Sequence, residues 1–100
     1  MYEVKTTKTA RILLGQHLCF LRKVSLKAAK ELRKKAIQKI KSLAENPLQY
    51  PVWLPDYNLP KQYRRIIVDK RYMIIYSIDD KRVFVEYVFD GRMDNVKFFE

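Results

Sequence analysis

The sequence predicts an α+β fold over residues 1–100 as one domain. An N-terminal strand and an antiparallel helical hairpin precede a three-stranded antiparallel meander, which completes a four-stranded sheet with the helices on one face. Three observations predict it. Residues 63–89 are β-branched and aromatic runs, broken at Asp69-Lys70-Arg71 and at Ile78-Asp79-Asp80-Lys81. Residues 7–45 carry apolar side chains at helical spacing, with a single break near Val24. Tyr2 to Thr6 alternates Tyr and Val against Glu and Lys, the period of a strand.

In chain order, the first strand, Tyr2–Thr6, is too short to stand alone and must pair with a later strand at a sheet edge. Thr7 or Thr9 caps a first helix running to about Lys23. Ala10, Leu14, Leu18 and Leu21 make one apolar face, and Ile12, Leu13, Cys19 and Phe20 extend it round the cylinder. So broad a surface predicts contact on two sides, one with the sheet and one with another helix or a partner. Cys19, the single cysteine, reads as a buried thiol, and His17, the single histidine, as a partly buried, hydrogen-bonded side chain.

Ser25 caps a second helix to about Glu45, with Ala29, Leu32, Ala36, Ile40 and Leu43 facing the core. Its other face sets seven cations, among them Lys34 and Lys41, against Glu31 and Glu45. Asn46-Pro47 ends the helix. The following connector holds all four prolines, pinned by Tyr50, Trp53, Leu54 and Tyr57, whose expected role is to seal a small core.

Within the meander, Tyr72, Ile74, Tyr76 and Ile78 form the helix-facing set of the middle strand, and Arg64, Ile66 and Val68 share a face of the strand before it. Uninterrupted alternation in the last strand places Phe84, Glu86 and Val88 opposite Val83, Val85, Tyr87 and Phe89. Both sheet faces are then apolar. With helices on one face only, the open face predicts a partner, or self-association when no partner is present.

Composition narrows the function. Net charge is +10 with 48% hydrophobic residues, which describes a globular chain suited to an anionic partner. Two glycines exclude a glycine-rich phosphate loop. No His/Cys cluster, paired-His motif or nucleophile elbow occurs, so no metal and no cofactor is expected. Met1–Lys5 has no apolar signal region, and no apolar run approaches a membrane span, so a cytoplasmic protein is expected. What remains is arginine, which binds phosphate bidentately and stabilises charge developing at phosphorus. Arg92, directly after an apolar strand, is the leading candidate, whereas Arg82 in a turn reads as an edge-strand charge.

The order of the parts, with Tyr63-Arg64-Arg65-Ile66-Ile67-Val68, Arg71-Tyr72-Met73-Ile74-Ile75-Tyr76 and Val83-Phe84-Val85-Glu86-Tyr87-Val88-Phe89-Asp90-Gly91-Arg92, resembles the RelE/ParE superfamily of type II toxin–antitoxin toxins. The resemblance covers nearly the whole chain. It implies a toxin neutralised by a cognate antitoxin. It implies either ribosome-dependent mRNA cleavage without a metal, which is narrowly favoured, or inhibition of DNA gyrase. A non-catalytic RNA- or protein-binding relative is the third reading.

Residue by residue, the resemblance makes Arg92 and Arg64 the catalytic candidates. Arg65, Arg71, Lys70, Lys34, Lys41 and Phe98 are the candidate nucleic-acid contacts. Two positions depart from the nuclease pattern. Met73 stands where an arginine is expected, and Phe98 stands where a tyrosine would donate a proton. The segment from Asp94 to Glu100 is expected to lie across the sheet end through Phe98 and Phe99.

Overall fold

The computed structural model describes residues 1–91. Its elements are β1 (Glu3–Thr6), α1 (Lys8–Val24), α2 (Leu26–Ser42), β2 (Arg64–Val68), β3 (Tyr72–Asp79) and β4 (Arg82–Asp90). They form the expected α+β fold, with one four-stranded sheet in the order β1-β4-β3-β2. The meander is antiparallel, while β1 pairs with β4 in parallel at one edge, Val4 opposite Val83 and Thr6 opposite Val85. Arg92, Phe98 and the expected crossing by Asp94–Glu100 lie outside the described residues.

The helix ends follow their caps. Thr7 is extended, and its hydroxyl accepts from the Ala10 amide at 3.1 Å, satisfying one of the free N–H groups of the first turn of α1. Ser25 serves both helices. Its amide donates to Leu21 O at 2.8 Å, closing α1, and its hydroxyl accepts from the Ala28 amide at 3.1 Å, opening α2. One residue therefore turns the chain back on itself. Beyond Ser42 the bonding tightens, with Leu43, Ala44 and Glu45 donating to Ile40, Lys41 and Ser42. The α-helix thus stops three residues short of the expected Glu45, and turns of 3₁₀ type carry the chain on.

One core lies between helices and sheet. Ala10, Leu32, Ala36 and Leu43 meet Ile66, Val68, Tyr72, Ile74, Tyr76, Val83, Val85 and Val88. The small Ala29 and Ala36 are buried on α2. Tyr76 is fully buried, and its hydroxyl donates to Pro47 O at 2.5 Å. Left unpaired, that hydroxyl would cost about 1–3 kcal/mol, so the bond fixes where the connector leaves α2. His17 behaves as expected: its Nε2 lies 2.8 Å from Val88 O, donating to it, and its ring tilts against Tyr72 at 5.5 Å.

Three expectations are corrected. Cys19 is exposed, because α1 turns only Ala10 and its neighbouring stripe inward, and Ile12 and Phe20 also stay in solvent. The alternation of β4 is interrupted. Ile75 pairs with Tyr87 but Tyr76 pairs with Val85, so Glu86 is an extra residue in a β-bulge. Val83, Val85 and Val88 therefore share the helix side, and Phe84, Glu86, Tyr87 and Phe89 belong to the other. The open face, finally, is not bare. The proline-rich connector folds onto it, burying Trp53 against Tyr63, Ile75 and Phe89, although Leu54 points to solvent.

Burial pushes the Tyr76 and Tyr63 hydroxyls up from 10.0 to about 12, with Glu86 adding to the shift at Tyr63. Native tyrosines that hold their protons more tightly than unfolded ones stabilise the fold fully below pH 10. That contribution is lost as pH rises towards about 12. Urea denaturation between pH 9 and 12 is expected to show a steep alkaline loss of stability, shallower in Tyr76→Phe; equal slopes would contradict the assignment.

Candidate functional site

The sheet face away from the helices is the natural place for a surface-bound substrate, and the connector covers part of it. Trp53 packs edge-on against Tyr57 and Tyr63, both at 6.4 Å, and tilts against Phe89 at 6.2 Å. Tyr87 stacks on Phe89 at 5.5 Å. Beside this aromatic layer, the bulge turns Glu86 towards Ser77, whose hydroxyl donates to Oε2 at 2.6 Å. Lys61 reaches the same oxygen at 2.9 Å and lies 5.5 Å from the Tyr63 ring centre. The buried Ser77 thus has its partner, and Lys61 ties the end of the connector to β4. Held by a serine and a lysine, Glu86 links β3, β4 and the end of the connector.

Among the described residues the candidate arginines do not converge. Arg64 is in register with Tyr76 on the helix side, and its Nη1 donates to Tyr50 O at 2.6 Å. Arg71 stands at the other end of the β2–β3 pair, separated from Arg64 by roughly 13 Å of strand. There its Nε and Nη2 grip the Asp90 carboxylate, with Nη2 to Oδ2 at 2.9 Å, and the guanidinium lies 4.8 Å from the Tyr72 ring centre. The hydrogen bond with Asp90 holds the Arg71 pKa above its ordinary value. Arg65 is exposed on the open face. Lys70 sits in the β2–β3 turn, where Asp69 and Lys70 take φ of 55° and 58°. Lys34 and Lys41 are exposed on α2, far along the chain from both arginines. Among the described residues no group of three or more His, Cys, Asp or Glu side chains gathers.

Arg71 also shapes the end of β4. Its carbonyl accepts from the Gly91 amide at 2.5 Å, and a Cβ on Gly91 would stand 2.7 Å from that oxygen. Glycine is the residue that permits this approach. Together with the Arg71–Asp90 pair, it fixes where β4 ends.

Two recesses that the sequence did not locate lie on the helical hairpin. A recess of about 580 Å³ is lined by Gly15, Leu18, Cys19, Arg22, Leu26, Ala29, Lys30 and Arg33. A second, of about 730 Å³, opens beside β1 and includes Arg11, Leu14, Ile37, Ile40, Lys41 and again Arg33. The two recesses share Arg33, and each sets apolar side chains beside cations. The available signal was the breadth of apolar surface on the first helix. No helix of the described residues is long and apolar enough to cross a membrane.

A family model described as the ParE toxin of the type II toxin–antitoxin system parDE matches residues 5–95. The chain belongs to the ParE toxin family. No curated protein matches it. A solved structure titled "Chromosomal ParDE TA system from P. aeruginosa" superposes with a TM-score of 0.72 at 14% identity, covering 90% of this chain and 96% of that one. At that identity the likeness bears on fold, and it places the ParE-family sheet and hairpin in the arrangement described above. Membership of a toxin–antitoxin family implies an antitoxin partner for this ParE-family chain.

The partly buried Arg71–Asp90 pair is expected to contribute measurably to stability. Arg71→Ala should lose about 1–3 kcal/mol in urea denaturation, because Asp90 loses its bidentate partner. Lys70→Ala in the neighbouring turn should stay within about 0.5 kcal/mol. Equal effects would show that the pair holds nothing.

Proposed function

We propose that this ParE-family chain is the toxin of a type II toxin–antitoxin pair and acts by binding a protein target, DNA gyrase, rather than by cutting RNA. The observation that carries this reading is the fate of the open sheet face. Trp53 of the connector packs over Tyr63, Ile75 and Phe89 and covers part of it, leaving Arg65 and Ile67 exposed, and Arg71 is paired with Asp90. A metal-free nuclease needs cations converging on one phosphate and a proton donor for the leaving oxygen. Met73 and Phe98 stand where the RelE-type pattern would supply an arginine and a tyrosine. The family described by the matching model supports the same choice.

Ribosome-dependent mRNA cleavage, favoured on sequence, is the second reading. It keeps the support of Arg92 and of the +10 charge, which suits a ribosomal RNA surface. The non-catalytic relative is distinguished from both by a lack of effect on growth.

Purified chain added to DNA gyrase is expected to block supercoiling and to leave mRNA intact in a translating extract. Codon-phased cuts in the mRNA that disappear in Arg92→Ala, with supercoiling unaffected, would overturn the proposal and restore the nuclease.

A further inference from the structure

The hairpin tip exposes apolar side chains that the fold does not use. Phe20 is 60% exposed, Val24 75% and Leu26 52%. Phe20 and Val24 are one helical turn apart, and Leu26 follows directly across the turn at Ser25. Single exposed apolar residues are ordinary, but three within seven residues form a patch. The patch is also rigid. Ser25 closes α1 and caps α2 through its own amide and hydroxyl, so no flexible loop separates the three side chains. A surface held in shape before binding loses little conformational entropy on docking.

The charge around the patch selects its occupant. From Phe20 to Lys30 the sequence has four cations, Arg22, Lys23, Lys27 and Lys30, and no carboxylate. Arg22, Leu26 and Lys30 also line the recess of about 580 Å³ beside it. A second copy would bring the same cations into opposition, which disfavours self-pairing here. A nucleic acid would answer the charge but not the apolar side chains.

We infer that the tip formed by Phe20, Val24 and Leu26 is the surface through which this toxin docks on its target, an acidic protein surface with an apolar pocket at its centre. The inference rests on the reading that the toxin acts by binding a protein. The phenyl ring and the two aliphatic side chains enter the pocket, and the surrounding cations meet carboxylates at its rim. Large apolar side chains at the centre with charges at the edge is the usual distribution of binding energy in an interface.

Phe20→Ser/Val24→Ser tests it in three assays. The variant should keep its melting temperature and its co-purification with the antitoxin. It should lose growth arrest on induction, and its inhibition of purified gyrase should weaken by at least about tenfold. Ile67→Ser, a comparably exposed apolar residue on the sheet, should leave both activities unchanged. Should the double variant fail to fold, Lys23→Glu/Lys27→Glu is expected to give the same loss.

Full growth arrest by a folded tip variant would overturn the inference. So would flotation of wild-type protein, but not the variant, on phosphatidylglycerol vesicles, which would make the tip a membrane anchor. A dimer abolished by the variant would make it a self-interface and overturn the inference as well. Growth arrest by wild type without gyrase inhibition would instead count against gyrase, while the growth assay still decides the role of the tip.

Discussion

One extra residue in β4 decides what each face of the sheet is made of. With Glu86 set out as a bulge, the strand supplies Val83, Val85 and Val88 to the helix-side core and Phe84, Tyr87 and Phe89 to the other face. Regular alternation would place Val88 away from the helices and Tyr87 and Phe89 beneath them. The bulge also points Glu86 at Ser77 and Lys61, which closes the connector onto β4. A sheet with two apolar faces needs two covers: the hairpin packs on one side, and the proline-rich connector covers part of the other, leaving Ile67 exposed.

That constraint bears directly on function. A face occupied by Trp53 and its aromatic neighbours serves as a second core, and two of the candidate arginines serve as clasps. Arg64 holds the connector backbone, and Arg71 holds the end of β4. On the proposed reading the sheet is a scaffold and partners meet the helices, where the recesses on the hairpin and the tip at Ser25 combine apolar surface with positive charge. Binding through preformed shape and charge asks no more of a small domain than a rigid frame, which the meander supplies.

Much of the fold was legible because it is local. Thr7 and Ser25 announce helix starts through side-chain bonds to amides three residues away, and the meander turns show in runs of charge between apolar strands. The helix-facing sides of β2 and β3 followed from period two. The bulge was not legible, since Val83-Phe84-Val85-Glu86-Tyr87-Val88-Phe89 is apolar on both faces and a slip leaves little trace in the pattern. The Arg71–Asp90 clasp depends on strand register, which sequence distance does not reveal. Cys19 read as buried because its neighbours are apolar, but a helix lying on a sheet covers only one stripe. The candidate site suffered most. Arginines adjacent in sequence to good strands proved to face different ways, and the leading candidate, Arg92, lies outside the described residues.

The binding reading depends on the connector packing over the open sheet face, and Trp53, the only tryptophan, reports on that packing directly. It is 6% exposed in the folded chain. Its fluorescence should be blue-shifted relative to the unfolded protein and poorly quenched by acrylamide. Tyr63→Ala should raise the quenching by loosening its packing. Emission and quenching equal to those of the unfolded chain would mean that the face is open, and the case against a nucleic-acid site on the sheet would fall with it.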